Sequence, residues 1–208
     1  MIKRLLIGFT FLLFPSFAIA NCVVGATGVV GTGTCSKAGR VLISTQTASN
    51  SVALQFYGSN WSSSYSTLQL RCQGLINNGG TYLVQVGEGG APTWQTSGSY
   101  VSTRSQVTSN QGAAYSGTAS ATDLTNQTPG STAIPMSITL EIDNVASTTI
   151  YKKAMYQIST YTDGFAYEIG ITGTGYWAGD HGAITGLQVA PYSGTIASGT
   201  CSLYGVLS

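Results

Sequence analysis

After Asn21 the chain alternates apolar and small polar residues with the period of two that marks strands burying one face. The clearest run is Ser137-Ile138-Thr139-Leu140-Glu141-Ile142-Asp143, where Ile138, Leu140 and Ile142 point to one side and their neighbours to the other. Runs of this kind predict strands near Arg40–Gln46, Val52–Tyr57, Thr67–Cys72, Thr81–Val86, Ser137–Asp143, Ala154–Tyr161, Phe165–Gly173, Ala183–Ala190 and Gly199–Val206. Clusters of Gly, Asn and Ser divide them. Asn78-Gly79 and Asp163-Gly164 are tight-turn signals, the second set between two aromatic-rich runs as in a hairpin. No stretch has a convincing helical period, and the best candidate, Tyr151–Ile158, suits a strand as well. About nine evenly spaced strands predict an all-β fold, a jelly-roll-like antiparallel β-sandwich occupying residues 39–208.

Two stretches depart from this pattern. Residues 21–38 form a Gly/Val/Thr-rich leader that carries two cysteines. Residues 109–133 are long and polar, and read as a surface loop of the kind that is usually functional or mobile.

The first twenty residues have the three parts of a secretory signal. Lys3 and Arg4 supply the positive start, Leu5–Phe14 the apolar run, and Ala18-Ile19-Ala20 the small residues of a cleavage site. The apolar run is too short for a spanning helix, which needs about twenty residues. Export is therefore expected, to the periplasm, the cell surface or the medium, with Asn21 as the new terminus and no membrane span left.

Loss of Lys3 and Arg4 leaves Lys37, Arg40, Arg71, Arg104, Lys152 and Lys153 as basic side chains. Against them stand Glu88, Asp123, Glu141, Asp143, Asp163, Glu168 and Asp180. Nothing clusters beyond Lys152-Lys153, so neither a nucleic-acid footprint nor a polybasic membrane patch is expected. Charged residues make up 7% of the chain, against about 25% in a typical soluble domain. Ser, Thr, Gly, Asn and Gln take their place. Such a surface supplies few acid–base groups and little self-repulsion, which favours binding or assembly, including homo-oligomers, over catalysis.

Cys22, Cys35, Cys72 and Cys201 all lie in the exported part, and an even count there predicts two disulfides. Of three pairings, Cys22–Cys35 with Cys72–Cys201 is preferred, because the second bridge would join two predicted strands and close a very long loop. No C-x-x-C pair and no D-x-D-x-D-G spacing occur, so no metal or other cofactor is expected.

Glu141 and Asp143 share one strand face, as the acid and nucleophile do in jelly-roll glycoside hydrolases of the laminarinase type. The further same-face Glu of those enzymes is absent, for Val145 stands at that place. His181, the one histidine, adjoins Asp180 in a turn, but adjacent residues do not orient each other as a catalytic triad requires. No catalytic residues are therefore assigned. Aromatic residues in turn-rich surroundings are the better clue. Trp61, Trp94, Tyr176 and Trp177, with Asp180 and His181, carry the stacking faces and polar groups that recognise sugars, provided they come together.

At the C-terminus, Gly182-Ala183-Ile184-Thr185-Gly186-Leu187-Gln188-Val189 is followed by Ser193-Gly194-Thr195-Ile196-Ala197-Ser198-Gly199-Thr200 and Ser202-Leu203-Tyr204-Gly205-Val206. This order resembles the closing strands of jelly-roll-like domains in tailed-phage structural proteins. Leu68-Gln69-Leu70 and Tyr82-Leu83-Val84-Gln85-Val86-Gly87 resemble their early strands. The resemblance implies a sandwich used for decoration, fibre tips or receptor contact, commonly as an oligomer, and brings no catalytic residues. The signal and the cysteines depart from it and suit the same fold used on or outside a cell. The expectation is a secreted, non-catalytic module that binds a glycan or another cell-surface ligand. Its rivals are a self-assembling structural subunit and a glycoside hydrolase.

Overall fold

The computed structural model describes residues 24–25, 28–29, 39–58, 61–78, 80–96, 100–109, 112–121, 123–125, 134–161, 168–179 and 181–207. The chain divides into two units, Met1–Ser36 and Lys37–Ser208. In the first, β1 (Val24–Gly25) and β2 (Gly28–Val29) form an antiparallel pair. The expected signal at 1–20, Cys22 and Cys35 lie outside the described residues.

The second unit holds β3 (Arg40–Ser51), β4 (Leu54–Tyr57), a single helical turn α1 (Trp61–Ser64), β5 (Tyr65–Asn77), β6 (Tyr82–Glu88) and β7 (Thr93–Trp94). It continues through β8 (Tyr100–Thr108), β9 (Gly112–Ala121), β10 (Met136–Asp143), β11 (Lys152–Tyr161), β12 (Glu168–Trp177), β13 (Ile184–Pro191) and β14 (Ile196–Leu207). Eight strands form one sheet in the order β3-β14-β5-β10-β11-β12-β8-β9, and four form another in the order β4-β13-β6-β7. All neighbours are antiparallel.

The strand orders define the topology. β3-β14-β5-β10 and β4-β13-β6-β7 are the two four-stranded halves of a jelly roll, in which the chain shuttles between sheets and its last strand returns beside its first. β8 and β9, inserted after β7, and β11 and β12, inserted after β10, extend the larger sheet beyond that frame. All nine predicted strands are present, most of them longer by a few residues. The Asp163-Gly164 turn lies outside the described residues, but β11 and β12 on either side of it pair from Lys152↔Trp177 to Tyr161↔Glu168.

The core lies between the sheets. Leu68, Leu70, Ile138, Leu140, Ile142 and Leu203 of the larger sheet and Leu54, Phe56, Val84, Val86, Leu187 and Val189 of the smaller belong to one buried cluster. Cys72 and Cys201 stand directly opposite on β5 and β14 and form a disulfide there, as expected. Beside it the β5–β14 register shifts between Ser198 and Thr200, and Gly199 adopts a φ of 124°. Only glycine suits that bulge, because the Gly74 carbonyl would lie 2.8 Å from a Cβ at Gly199. On the outer face of the smaller sheet a glutamine ladder crosses three strands. Gln55 Nε2 donates to Gln188 Oε1 (3.0 Å), and Gln188 Nε2 donates to Gln85 Oε1 (2.8 Å).

One expectation is corrected. Part of the polar stretch 109–133 is not loop: Gly112–Ala121 is β9, the edge strand paired with β8 from Tyr100↔Ala121 to Thr108↔Gly112. Apart from Tyr115 its residues are Gly, Ala, Ser and Thr, so the repeated apolar alternation that reveals strands is missing. Backbone pairing with β8 is what makes it a strand.

Candidate functional site

Alternation along the strands sends one side chain in two to the outer face of the larger sheet, and the register aligns them in rows across it. One row runs Gln69, Glu141, Met155, Thr174, Thr103, Gly117. The next runs Arg71, Thr139, Gln157, Thr172, Ser105, and beyond it Ser137, Ser159, Gly170, Val107. On the opposite side stand Thr67, Asp143, Lys153, Tyr176 and Val101. Hydroxyls dominate, and several lock together across strands: Thr103–Thr174 at 3.1 Å, Thr45–Ser202 at 2.9 Å and Thr47–Thr200 at 3.2 Å.

The extension strands give this face a trough. A cavity of about 810 Å³ is lined by Thr103, Ser105, Gly117, Thr139, Glu141, Met155, Gln157, Thr172 and Thr174, among others. A second, of about 350 Å³, adjoins it and shares Thr139, Gln157 and Thr172. Met155 is 57% exposed on the floor, an apolar spot in a lining of hydroxyls, the Gln157 amide, Glu141 and Arg104. Tyrosines stand one strand step beyond each end, Tyr176 after Thr174 and Tyr161 after Ser159, both 39% exposed. Tyr176 is braced by Tyr151, with ring centroids 5.9 Å apart, and Tyr151 packs in turn on His181 at 4.4 Å.

The trough is backed by a buried tyrosine. Tyr156 crosses β12 at Gly173, where a Cβ would lie 2.3 Å from its hydroxyl, and donates to the Thr103 carbonyl at 3.0 Å. Burial pushes its phenol from the usual 10.0 up to about 12, with nearby Arg104 pulling it down and Asp123 adding a smaller rise.

The expected aromatic site divides. Trp61, in α1, is 5% exposed, and Trp177, on the inward face of β12, is 1% exposed, so both are core residues and present no face to a ligand. Lys152 Nζ sits 5.5 Å from the Trp177 ring centre and donates to the carbonyls of Ser147 (2.5 Å) and His181 (2.7 Å), pinning the turns around it. Trp94, half-buried, lies over Gly87 and Gly186 of the smaller sheet, whose Cβ positions would come within 3.0 Å of its ring. That is the opposite outer face from Tyr176. Tyr176 and His181 do come together, through Tyr151. Asp180 lies outside the described residues.

Glu141 and Asp143 share the outer face of β10, and each is held by its neighbour on β5. Gln69 Nε2 donates to Glu141 Oε2 at 3.2 Å, and Thr67 Oγ1 donates to Asp143 Oδ1 at 3.0 Å. Across the trough from Glu141 come Met155, Thr174 and Thr103, none of them a carboxylate, and Asp143 is its same-face neighbour two positions along β10.

No protein-family model matches the chain, and no curated protein matches it.

Glu141 and the flanking Tyr176 stood out in the sequence, but the Thr, Ser and Gln residues of the trough did not, because on outward strand positions they look like ordinary wet surface. Their one readable signal was the excess of hydroxyl and amide residues over charge.

Proposed function

We propose that this protein is a non-catalytic binding module that holds a carbohydrate ligand in the trough on the outer face of its larger sheet. The lining carries the reading. A strand-built floor of threonine and serine hydroxyls, with Gln157 and the single carboxylate of Glu141, offers donors and acceptors suited to sugar hydroxyls. Met155 and the flanking tyrosines offer apolar faces for the C–H side of a sugar ring. The hydroxyls sit on paired strands, so little ordering is left for a ligand to impose. Export is part of the proposal, and the Cys72–Cys201 disulfide supports it, because such bonds persist in oxidising compartments.

The test is a glycan-array screen of the full chain, expressed for export and purified with its disulfide formed. Selective binding is expected, lost in Gln157→Ala and Tyr176→Ala and kept in Trp94→Ala, which lies on the other face. Binding that follows Trp94 instead, or no binding to any glycan, rejects the trough.

A structural-subunit reading has one observation in its favour. The edge strand β3 exposes Val41 (40%) on one face and Leu42 (55%) on the other, and among the described residues its outer edge has no strand neighbour. The resemblance to tailed-phage structural domains points the same way.

A further inference from the structure

Three glycines fall on β12, and packing accounts for two of them. A Cβ at Gly173 would lie 2.3 Å from the Tyr156 hydroxyl, and one at Gly175 would lie 2.4 Å from the Leu124 carbonyl. Gly170 is different. Its φ is not in the left-handed region, and a Cβ built there meets nothing within 4 Å. Glycine weakens a strand interior, and where no neighbour demands it, it often marks the close approach of a ligand. Gly170 lies in the floor of the smaller cavity, between Ser159 and Val107 in its row.

The geometry points to Gly170 as the floor of a second subsite, and to a linear, uncharged oligosaccharide running parallel to the strands as the ligand. The inference rests on the carbohydrate reading of the trough and names its ligand class. Three observations carry it beyond that reading. The two cavities meet at Thr139, Gln157 and Thr172, so one ligand can occupy both without leaving the face. The end tyrosines lie eight positions apart in register, Lys153 being opposite Tyr176 and Tyr161 closing β11, which at a strand's rise is about 26 Å. That span suits several linked sugars rather than one. The second cavity has no charged residue in its lining, and the first carries one of each sign, Glu141 and Arg104, so neither cavity has an excess of charge to select an ionic ligand and the chain they accept is neutral.

The probes are cello-, manno- and chito-oligosaccharide ladders, with oligogalacturonates as the anionic contrast, titrated calorimetrically into the full chain. Affinity should climb with length and level off once both cavities are filled. Gly170→Val places a strand-favouring side chain in open space, so its Tm should equal or exceed that of the parent. The same variant should weaken the longest neutral fragments by about tenfold and leave disaccharides unchanged. Equal affinity at all lengths, or long fragments indifferent to Gly170→Val, overturns the second subsite and leaves the carbohydrate reading standing. Preference for oligogalacturonates overturns the neutral class. Absence of binding by every fragment overturns both proposals.

Discussion

Tyr156 shows how single residues set the character of this sheet. Its ring crosses β12 only because residue 173 has no side chain, and its hydroxyl ends on the Thr103 carbonyl. Tyr100 is tied similarly, donating to the Gln95 carbonyl and accepting from the Val86 amide, both at 3.0 Å. Burial raises the phenols of Tyr82, Tyr100 and Tyr156 above their usual 10.0. Above pH 10 the unfolded chain gives up these protons while the folded chain keeps them, so the unfolded state binds fewer. Their contribution to stability is whole below pH 10 and is lost as pH rises through the folded values, about 12 for Tyr156. Urea titrations across that range should show midpoints falling with pH, and phenolate absorbance from these three tyrosines should appear together with unfolding. Phenolate signal from all twelve tyrosines while the fold is intact would contradict their burial.

At the scale of elements, the bridge between β5 and β14 ties the last strand of the jelly roll into the middle of its larger sheet. Cys72 and Cys201 are 129 residues apart in sequence and opposite in register. A crosslink closing so long a loop restricts the unfolded chain strongly, and replacing both cysteines by alanine should cost about 4–5 kcal/mol. Chemical denaturation of the double variant measures this, and a loss under about 1 kcal/mol would show that the unfolded chain is already compact there. How far elements were legible differs along the chain. β10, with Ile138, Leu140 and Ile142 buried between outward neighbours, is readable at sight. β9 is not, because small residues suit either face and its position comes from β8 alone. β8 was missed for a related reason: Ser102 is buried on its inward side and Val107 is exposed on its outward side, so polarity and burial do not correspond.

At the scale of the molecule, the sandwich has two outer faces and two sorts of edge. The larger sheet turns a hydroxyl-rich trough outward. The smaller covers Gly87 and Gly186 with Trp94 and Pro92 and runs its glutamine ladder alongside. Under the structural-subunit reading, low charge would leave little to hold copies apart and exposed Leu42 on the edge strand β3 would be where they meet. Light scattering over a concentration series should show self-association that Leu42→Lys removes while glycan binding persists. A monomer at every concentration would end the structural-subunit reading.

Composition and alternation were enough to determine an all-β sandwich, its nine main strands and a surface rich in hydroxyls and amides, while Cys72–Cys201 was only the preferred one of three pairings until the fold set the two cysteines opposite each other. The strands and the surface follow from local rules, since a period of two needs only neighbouring residues. Which aromatic residues are buried was decided only by the tertiary structure, because a tryptophan in a Gly- and Ser-rich setting can plug a core or face water. Trp61 and Trp177 went inward, Trp94 onto one face and Tyr176 onto the other. The trough was likewise undetermined in sequence. Its residues come from two runs of consecutive strands, β8–β9 and β10–β11–β12, and only the pairing register, which alternation along one strand does not give, sets Thr139, Gln157 and Thr172 side by side and joins the two runs at β12–β8.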